Sequence, residues 1–294
     1  MSTEFTKNIP LSSLTERVIS PHDGLDAFRY NLISLVKEWP FTRHLAYRIF
    51  IRDTQAMFRM SFLGYFWLIA PALANTLVWV LLSNSEVVKI DSGNVPYPLF
   101  VFVGTWLWTA FNSCLVSSLG LVDEAKSTLV KVNFPIESIL LAGFGKNLLT
   151  VLITGIGLIP FLILYPVTPK LTMILFPFEL IMVMLFGVAI GLFFVPIAAL
   201  FSDISRTIHL ALRFAFFLTP VIYPIPAQGL TRTLILSNPV SAMIVTPRWS
   251  LLGGEEPAVI LFISFSLLAI ILLFMSLLAV KVALPHILER LSGT

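Results

Sequence analysis

The stretch NFPIESILLAGFGKNLLTVLITGIGLIPFLIL, Asn133 to Leu164, decides the reading of the chain. It leaves a charged segment, LVDEAKSTLVKVNFP (Leu121–Pro135), and runs into one hydrophobic enough to cross a bilayer. Lys146 and Lys170 bracket 23 residues with no acid and no base, and about 20 such residues span about 30 Å of hydrocarbon as a helix. A short polar elbow is therefore expected between two membrane helices, where a soluble partner could push on both.

Composition agrees. Of 294 residues 57% are hydrophobic and 12% charged, with mean hydropathy +0.92, whereas soluble domains carry about 25% charged residues. A soluble chain this apolar would need its hydrophobic runs bounded at core-helix or strand length, and they are not. The net charge of +3 and pI near 9.1 do not point to nucleic acid, because the bases sit between apolar runs rather than on a basic face. Cys114 is the single cysteine, so there is no disulfide framework, thiol pair or cysteine metal site, and four scattered histidines make no metal centre.

Working outward, the fold expected is an all-α polytopic membrane protein with six spans. Residues 1–27 are polar, lack the apolar core of a signal peptide and read as a cytosolic tail. From Phe28 to Phe50 aromatic and aliphatic residues alternate with Arg29, Lys37, Arg43 and Arg48, the make-up of an amphipathic helix in the membrane interface, with Trp39 at headgroup depth. Pro40 is expected to break it in two. This interface segment and the approach to the first span occupy 28–59, and the transmembrane domain 60–280.

The spans are expected near Gly64–Leu82, Pro98–Gly120, from the end of the elbow to about Leu164, and Leu171–Leu200, then from about Ile208 to the prolines at 220, 224 and 226, and last 257–280. A polar loop, Ser83–Asn94, joins the first two, and the elbow, Asp123–Glu137, the next two. Phe201–Arg213 is expected to return the chain to the cytosolic side. Glu179 lies in the fourth span, and a carboxylate at membrane depth is expensive. Pro224 to Gly254 is too apolar for a surface loop and too broken by Asn238, Pro239 and Pro247 to span; it reads as re-entrant or interfacial helices, tolerable where protein or a water-filled path covers the backbone. Residues 281–294 form a cytosolic tail. Of the 19 Lys and Arg, only Lys89, Lys170, Arg232 and Arg248 then fall on the outer side, which satisfies the positive-inside bias with both termini in the cytosol.

The motifs for self-contained chemistry are missing. There is no G-x-x-x-x-G-K-[ST], H-E-x-x-H or G-x-S-x-G. No acid is expected in the middle of a span and few charges at half-depth, which argues against an ion-coupled transporter. If the protein moves something, the energy comes from outside the chain.

Five stretches carry a resemblance to a known family: RDTQAMFRMSFLGYFWLIAPAL (52–73), VPYPLFVFVGTWLWTAF (95–111), LVKVNFPIESILLA (129–142), LFSDISRTIHLALRFAFFLTPVIYP (200–224) and NPVSAMIVTPRWSLLGG (238–254). They resemble the membrane subunits of type-2 ABC exporters of lipid-linked polysaccharides such as O-antigen, capsule and wall teichoic acid. The resemblance implies a homodimer in the bacterial inner membrane with two separate cytosolic ATPase subunits. Those subunits would bind the ATP and Mg, so this chain is expected to hold no cofactor and to be no enzyme by itself. It implies that the elbow seats on the ATPase, through Asp123, Glu124, Lys126, Lys131 and Phe134, with Asp203 and Arg206 in the other cytosolic loop. It also implies an external gate from Pro224 to Gly254, with Tyr223, Pro224, Asn238, Pro239, Arg248 and Trp249. The substrate implied is a glycan on undecaprenyl pyrophosphate or another lipid, and membrane lipids are expected partners.

On that footing two residue sets stand out. Tyr65, Trp67, Trp106, Trp108, Phe111 and Asn112 would line the pore, where aromatic faces stack on sugars without a deep trap, or else serve as helix-packing residues. Arg48, Arg52 and Arg59 would receive the lipid pyrophosphate, because a planar guanidinium makes paired bonds to phosphate, or else only hold the topology. A type-2 exporter of small molecules or drugs is the competing function.

Overall fold

The computed structural model describes residues 37–59, 63–85, 95–122, 135–168, 170–226, 228–254 and 257–292. Among them regular structure is entirely helical. Helix α1 is Trp39–Phe58, α2 Phe66–Asn84, α3 Tyr97–Leu119, α4 Ile136–Ile156 and α5 Ile159–Leu164. A 3-10 turn, Leu171–Ile174, leads into α6, Phe176–Ala198; then come α7 Ser202–Leu218, α8 Leu230–Ser237, α9 Pro239–Leu252 and α10 Val259–Ser292.

Five segments are long and apolar enough to cross a membrane: Phe66–Asn84, Tyr97–Leu119, Ile136–Leu164, Phe176–Ala198 and Val259–Pro285. The chain is a multi-pass membrane protein. The expected fifth span is where the structure departs from six. Instead of a span from about Ile208 to the prolines beyond 220, Ser202–Leu218 is a single helix of 17 residues that takes in the charged segment. Asp203 in its first turn favours the helix start, and the chain leaves helical geometry at Thr219, ahead of Pro220, whose ring disfavours a helical residue before it. Ile208, Leu212, Ala215 and Phe216 pack on the core; Arg206, His209 and Arg213 are exposed. The helix is amphipathic along its length.

Two smaller expectations can be followed in the structure. The break expected at Pro40 falls beside it: Lys37 is helical, Glu38 is in a turn, and a new helix, α1, opens at Trp39 with Pro40 in its first turn, where a missing N–H costs nothing; that helix continues past Phe50 to Phe58. Thr42 and Ala46, one turn apart, are its buried face, and the Phe50 ring, one turn further, lies against Gly145 of α4. The third span is interrupted at Gly157–Leu158 before α5. The cytosolic tail 1–27, the start of the interface segment, and the elbow residues Asp123, Glu124, Lys126, Lys131 and Phe134 lie outside the described residues.

Helices α3 and α6 form the centre. Between Leu99 and Phe111 every residue of α3 is buried except Thr109, and α6 buries Val183, Met184, Val188, Ala189 and Leu192. They approach at backbone distance because Gly187 and Gly191, in GVAIG, face α3: a Cβ at Gly187 would collide with the carbonyl of Phe111, and one at Gly191 with that of Leu115. Small residues four apart let helices in lipid touch along their backbones, where packing rather than the hydrophobic effect drives association. Helix α10 packs on α6, α2 and α4 pack on α3, and α1 packs on α4. Asn147 of α4 donates to Ser117 Oγ (3.0 Å) and Thr154 Oγ1 to the Leu68 carbonyl (3.1 Å), polar bonds that tie α4 to α3 and α2. Lys281 of α10 and Glu137 in the first turn of α4 form an ion pair of 2.5 Å, shielded from solvent, at one rim of an apolar groove of about 310 Å³ that Trp39 and Phe144 also line.

Candidate functional site

At the α1–α2 junction, Arg52 and Arg59 stand seven residues apart, two turns of helix, and line one groove of about 660 Å³ with Thr54, Gln55, Phe58 and Tyr65. Phe58 and Tyr65 close one end, their ring centroids 4.2 Å apart. Gly64, with φ of +43°, makes the turn that starts α2, a conformation that costs a residue with a Cβ about 1–2 kcal/mol. Both arginines are exposed, and the Arg52 guanidinium donates through Nε and Nη2 to Asp53 Oδ1 at 2.8 Å. Arg48 is exposed one turn earlier and is not part of the groove lining. The structure thus brings two of the three expected phosphate ligands together.

The aromatic set divides. Tyr65 and Trp67 are more than half exposed, whereas Trp106, Trp108 and Phe111 are buried in the chain's own core. Trp106 donates its indole N–H to the Val151 carbonyl at 2.8 Å, and its ring fills the space over Gly155, where a Cβ would collide with it. Trp108 meets Phe216 edge-on at 5.7 Å, and Phe111 stacks on Phe186 at 5.8 Å. The expectation that these three line a path is corrected: each is a packing residue facing a helix of its own chain. Asn112 is half-buried beside the exposed Thr109. In the first turn of α7, Asp203 and Arg206 are exposed and 3.4 Å apart.

The Pro224–Gly254 segment is the most closely built polar region. It forms the two short helices α8 and α9, joined at Asn238, whose side chain accepts from Val240 N (3.1 Å) and donates to Thr219 Oγ1 (3.0 Å). Asn238 therefore caps α9, Pro239 fills its first position, and the same amide ties α9 to the end of α7. Replacing Asn238 by alanine is expected to lower stability by about 1 kcal/mol, read as a fall in melting temperature in detergent. Behind the cap, Val240 to Arg248 is buried without a break.

Arg248 is 1% exposed. Its Nη1 donates to the carbonyls of Pro220 (2.9 Å) and Val221 (3.0 Å), and the guanidinium lies 3.7 Å over the Phe100 ring. Pro220 and Val221 belong to the stretch where α7 has ended, so Arg248 satisfies two backbone acceptors the helix no longer can. Gly104 makes room for this meeting: a Cβ there would collide with the Val221 carbonyl. Ser250 Oγ donates to Glu179 Oε1 at 2.8 Å, and Thr172 Oγ1 donates to the Ser250 carbonyl at 3.1 Å. Glu179 is thus a buried tie between α6 and α9. Tyr223 donates to the Phe217 carbonyl at 2.8 Å, Pro224 is half-buried, and so is Trp249.

No protein-family model matches the chain. It is 26% identical over 219 residues, 73% of this chain and 83% of the relative, to an O-antigen export system permease of Myxococcus xanthus. Two O-antigen export system permeases of Klebsiella pneumoniae are 26% and 27% identical over 207 residues, 69% of this chain and 78% of each relative. The resemblance carried by the sequence motifs is borne out. These relatives match most of the chain rather than one helix, and each is by name the permease of an O-antigen export system.

Sequence reasoning missed two features here. The GVAIG spacing at 187–191 was available as a signal for close helix contact. The burial of Arg248 was not, because its acceptors are carbonyls of a proline-broken segment that no residue pattern marks.

Proposed function

We propose that the chain is the membrane subunit of an ATP-driven type-2 ABC exporter that carries lipid-linked, O-antigen-like polysaccharide across the bacterial inner membrane. The observation that carries this reading is the likeness to O-antigen export permeases over about 70% of the chain. Two copies of the chain form the pore, and two cytosolic ATPase subunits bind the ATP and Mg that drive it. Both termini lie in the cytosol, which makes α7 the sixth crossing. Helices α8 and α9 are then re-entrant on the outer side and gate the mouth, with Tyr223, Pro224, Asn238, Pro239, Arg248 and Trp249 among their residues. The elbow around Asp123–Phe134 and the start of α7, with Asp203 and Arg206, take the push of the ATPase. The glycan stays long and variable while its lipid pyrophosphate is constant, so recognition rests on phosphate, and Arg52 and Arg59 share a groove suited to it. Tyr65 and Trp67, exposed beside that groove, offer sugar-stacking faces.

Deleting the gene tests the reading: lipid-linked precursor accumulates inside and surface glycan disappears. An intact surface glycan with raised drug sensitivity overturns it in favour of a small-molecule exporter. Within the reading, Arg52→Lys and Arg59→Lys keep the charge that topology needs but lose the planar fork. Export is expected to fall roughly tenfold in each, measured as surface glycan at equal permease level, and unchanged export in both would remove the groove from the mechanism.

A further inference from the structure

Arg213 occupies a place where a bare charge is costly. Trp108 is the twelfth of the 23 residues of α3, and its ring contact with Phe216 sets Phe216 level with the middle of that span. The two helices run in opposite directions, because Gly104 lies against Val221 and Tyr97 donates to the Ile222 carbonyl. Arg213 precedes Phe216 by three residues, about 4.5 Å along the axis, so it sits within one turn of the midpoint of α3. It is exposed and makes no hydrogen bond or ion pair among the described residues. His209 and Arg206 follow at four and three residues on the same face, also exposed, with Asp203 the acid that meets Arg206 at the far end. The His209 ring donates Nδ1–H to the Ser205 carbonyl at 2.7 Å, leaving Nε2 directed away from the helix. Charges at half-depth face water or an oppositely charged group, not hydrocarbon.

The neighbouring helix opens at the same level. On α3 the buried run is broken by Thr109, one residue after Trp108, and Asn112 is half-exposed one turn on. Seen from one end, the increasing-residue direction on α3 and on the antiparallel α7 turn oppositely, so the side of α3 beyond Trp108 and the side of α7 beyond Phe216 face the same way. Thr109 and Asn112 therefore border the stripe of bases.

We propose that Arg206, His209 and Arg213, flanked by Thr109 and Asn112, form a water-facing track that binds the phosphate groups of the transported lipid-linked molecule. Naming that molecule rests on the export reading; the phosphate chemistry rests on the stripe. The three bases rise about 10 Å along α7, enough to pass a pyrophosphate from one donor set to the next, and a planar guanidinium at each end offers paired bonds to phosphate oxygens. The track leads away from the level of Asp203 toward the middle of the membrane, so a head group that reaches it has left the interface.

The test uses the full chain in phosphatidylcholine nanodiscs, with Cys114, the single native cysteine, replaced by alanine. Arg213→Cys is expected to react with a charged, water-soluble methanethiosulfonate at least about tenfold faster than Phe214→Cys on the adjoining face, and farnesyl pyrophosphate, but not farnesol, to protect it. Farnesyl pyrophosphate binding is expected to weaken roughly tenfold in Arg213→Gln and less in Arg213→Lys, which controls for folding. Equal labelling at 213 and 214 overturns the water-facing placement. Labelling without protection, or unchanged binding in Arg213→Gln, overturns the phosphate track. Complete competition by phosphatidylglycerol in the disc assigns the stripe to bilayer lipid and overturns the proposal too. A chain that passes all three yet exports no glycan leaves the site standing and removes the export reading alone.

Discussion

Replacing Gly187 by leucine is expected to abolish the folded protein. At this residue α6 lies against the backbone of α3, and even the first added carbon meets the Phe111 carbonyl. The obstacle is main chain in the middle of a buried helix, so no side-chain rotation relieves it; the helices must separate along a contact that includes the fully buried Val183, Met184 and Leu192 on one side and Leu107, Ala110 and Cys114 on the other. Overpacking of this kind costs about 1–3 kcal/mol where side chains can adjust and more where they cannot, against a total stability of about 5–15 kcal/mol for a folded chain. Gly187→Ala should lower the melting temperature in detergent, Gly187→Ala with Gly191→Ala should lower it further, and Gly187→Leu should leave aggregate in fluorescence-detected size exclusion. Gly143→Ala is the matched control, since a Cβ there meets only Ser117 Oγ at an ordinary 3.7 Å. Equal monodispersity of the Gly187→Leu and Gly143→Ala proteins would show that α3 and α6 are not in backbone contact.

The second large effect is expected at Arg248. Removing it with Arg248→Leu orphans the Pro220 and Val221 carbonyls in a buried place and removes the cation from the Phe100 face. Bonds to a charged donor contribute about 1.5–3 kcal/mol each and a desolvated cation–π contact about 2, offset in part because the buried charge also disappears. A net loss on the order of 3 kcal/mol corresponds to about a hundredfold change in an equilibrium. It should appear as roughly hundredfold faster amide exchange across Thr219–Tyr223, with little change in α4. Arg248→Lys keeps the charge but not the fork that spans Phe100 and both carbonyls, so it should fall between leucine and the parent. Exchange rates in Arg248→Leu equal to those of the parent would mean that the segment is held by other contacts.

How legible each part was follows from what kind of force holds it. The spans were read from charge-free runs, and α3 and α10 begin within two residues of the expected positions because burial of a hydrophobic run in lipid depends on composition alone. Helix α7 was misdivided for the same reason. A window that searches for absent charge starts the helix late, near Ile208, and leaves out Asp203 and Arg206, although the core-facing residues Ile208, Leu212, Ala215 and Phe216 recur at helical spacing. Trp106 and Trp108 stand in the middle of α3, but their direction depends on a vacancy over Gly155 and on Phe216, each on a different helix. The broken character expected of Pro224–Gly254 came from Asn238, Pro239 and Pro247; Asn238 and Pro239 do divide α8 from α9, whereas Pro247 lies inside α9, and the ties to Thr219, Glu179 and Phe100 are tertiary and left no mark in the local pattern.

The amphipathic character of α7 also bears on how the protein is made. The five apolar segments can each partition from the insertion machinery into lipid on their own hydropathy. Helix α7 cannot, because an arginine or aspartate placed near a helix centre costs about 2.5–3.5 kcal/mol to insert and a leucine or phenylalanine returns only about 0.3–0.6. If it crosses, as the proposed six-span arrangement requires, it enters the bilayer only after α3 and α6 are present to take Phe216, Leu212 and Ile208, so its insertion is a folding step and not a partitioning step. With five crossings the two ends of the chain emerge on opposite faces and with six on the same face; in that arrangement the side reached by the C-terminus is set during biosynthesis by the late docking of the helix least able to insert alone.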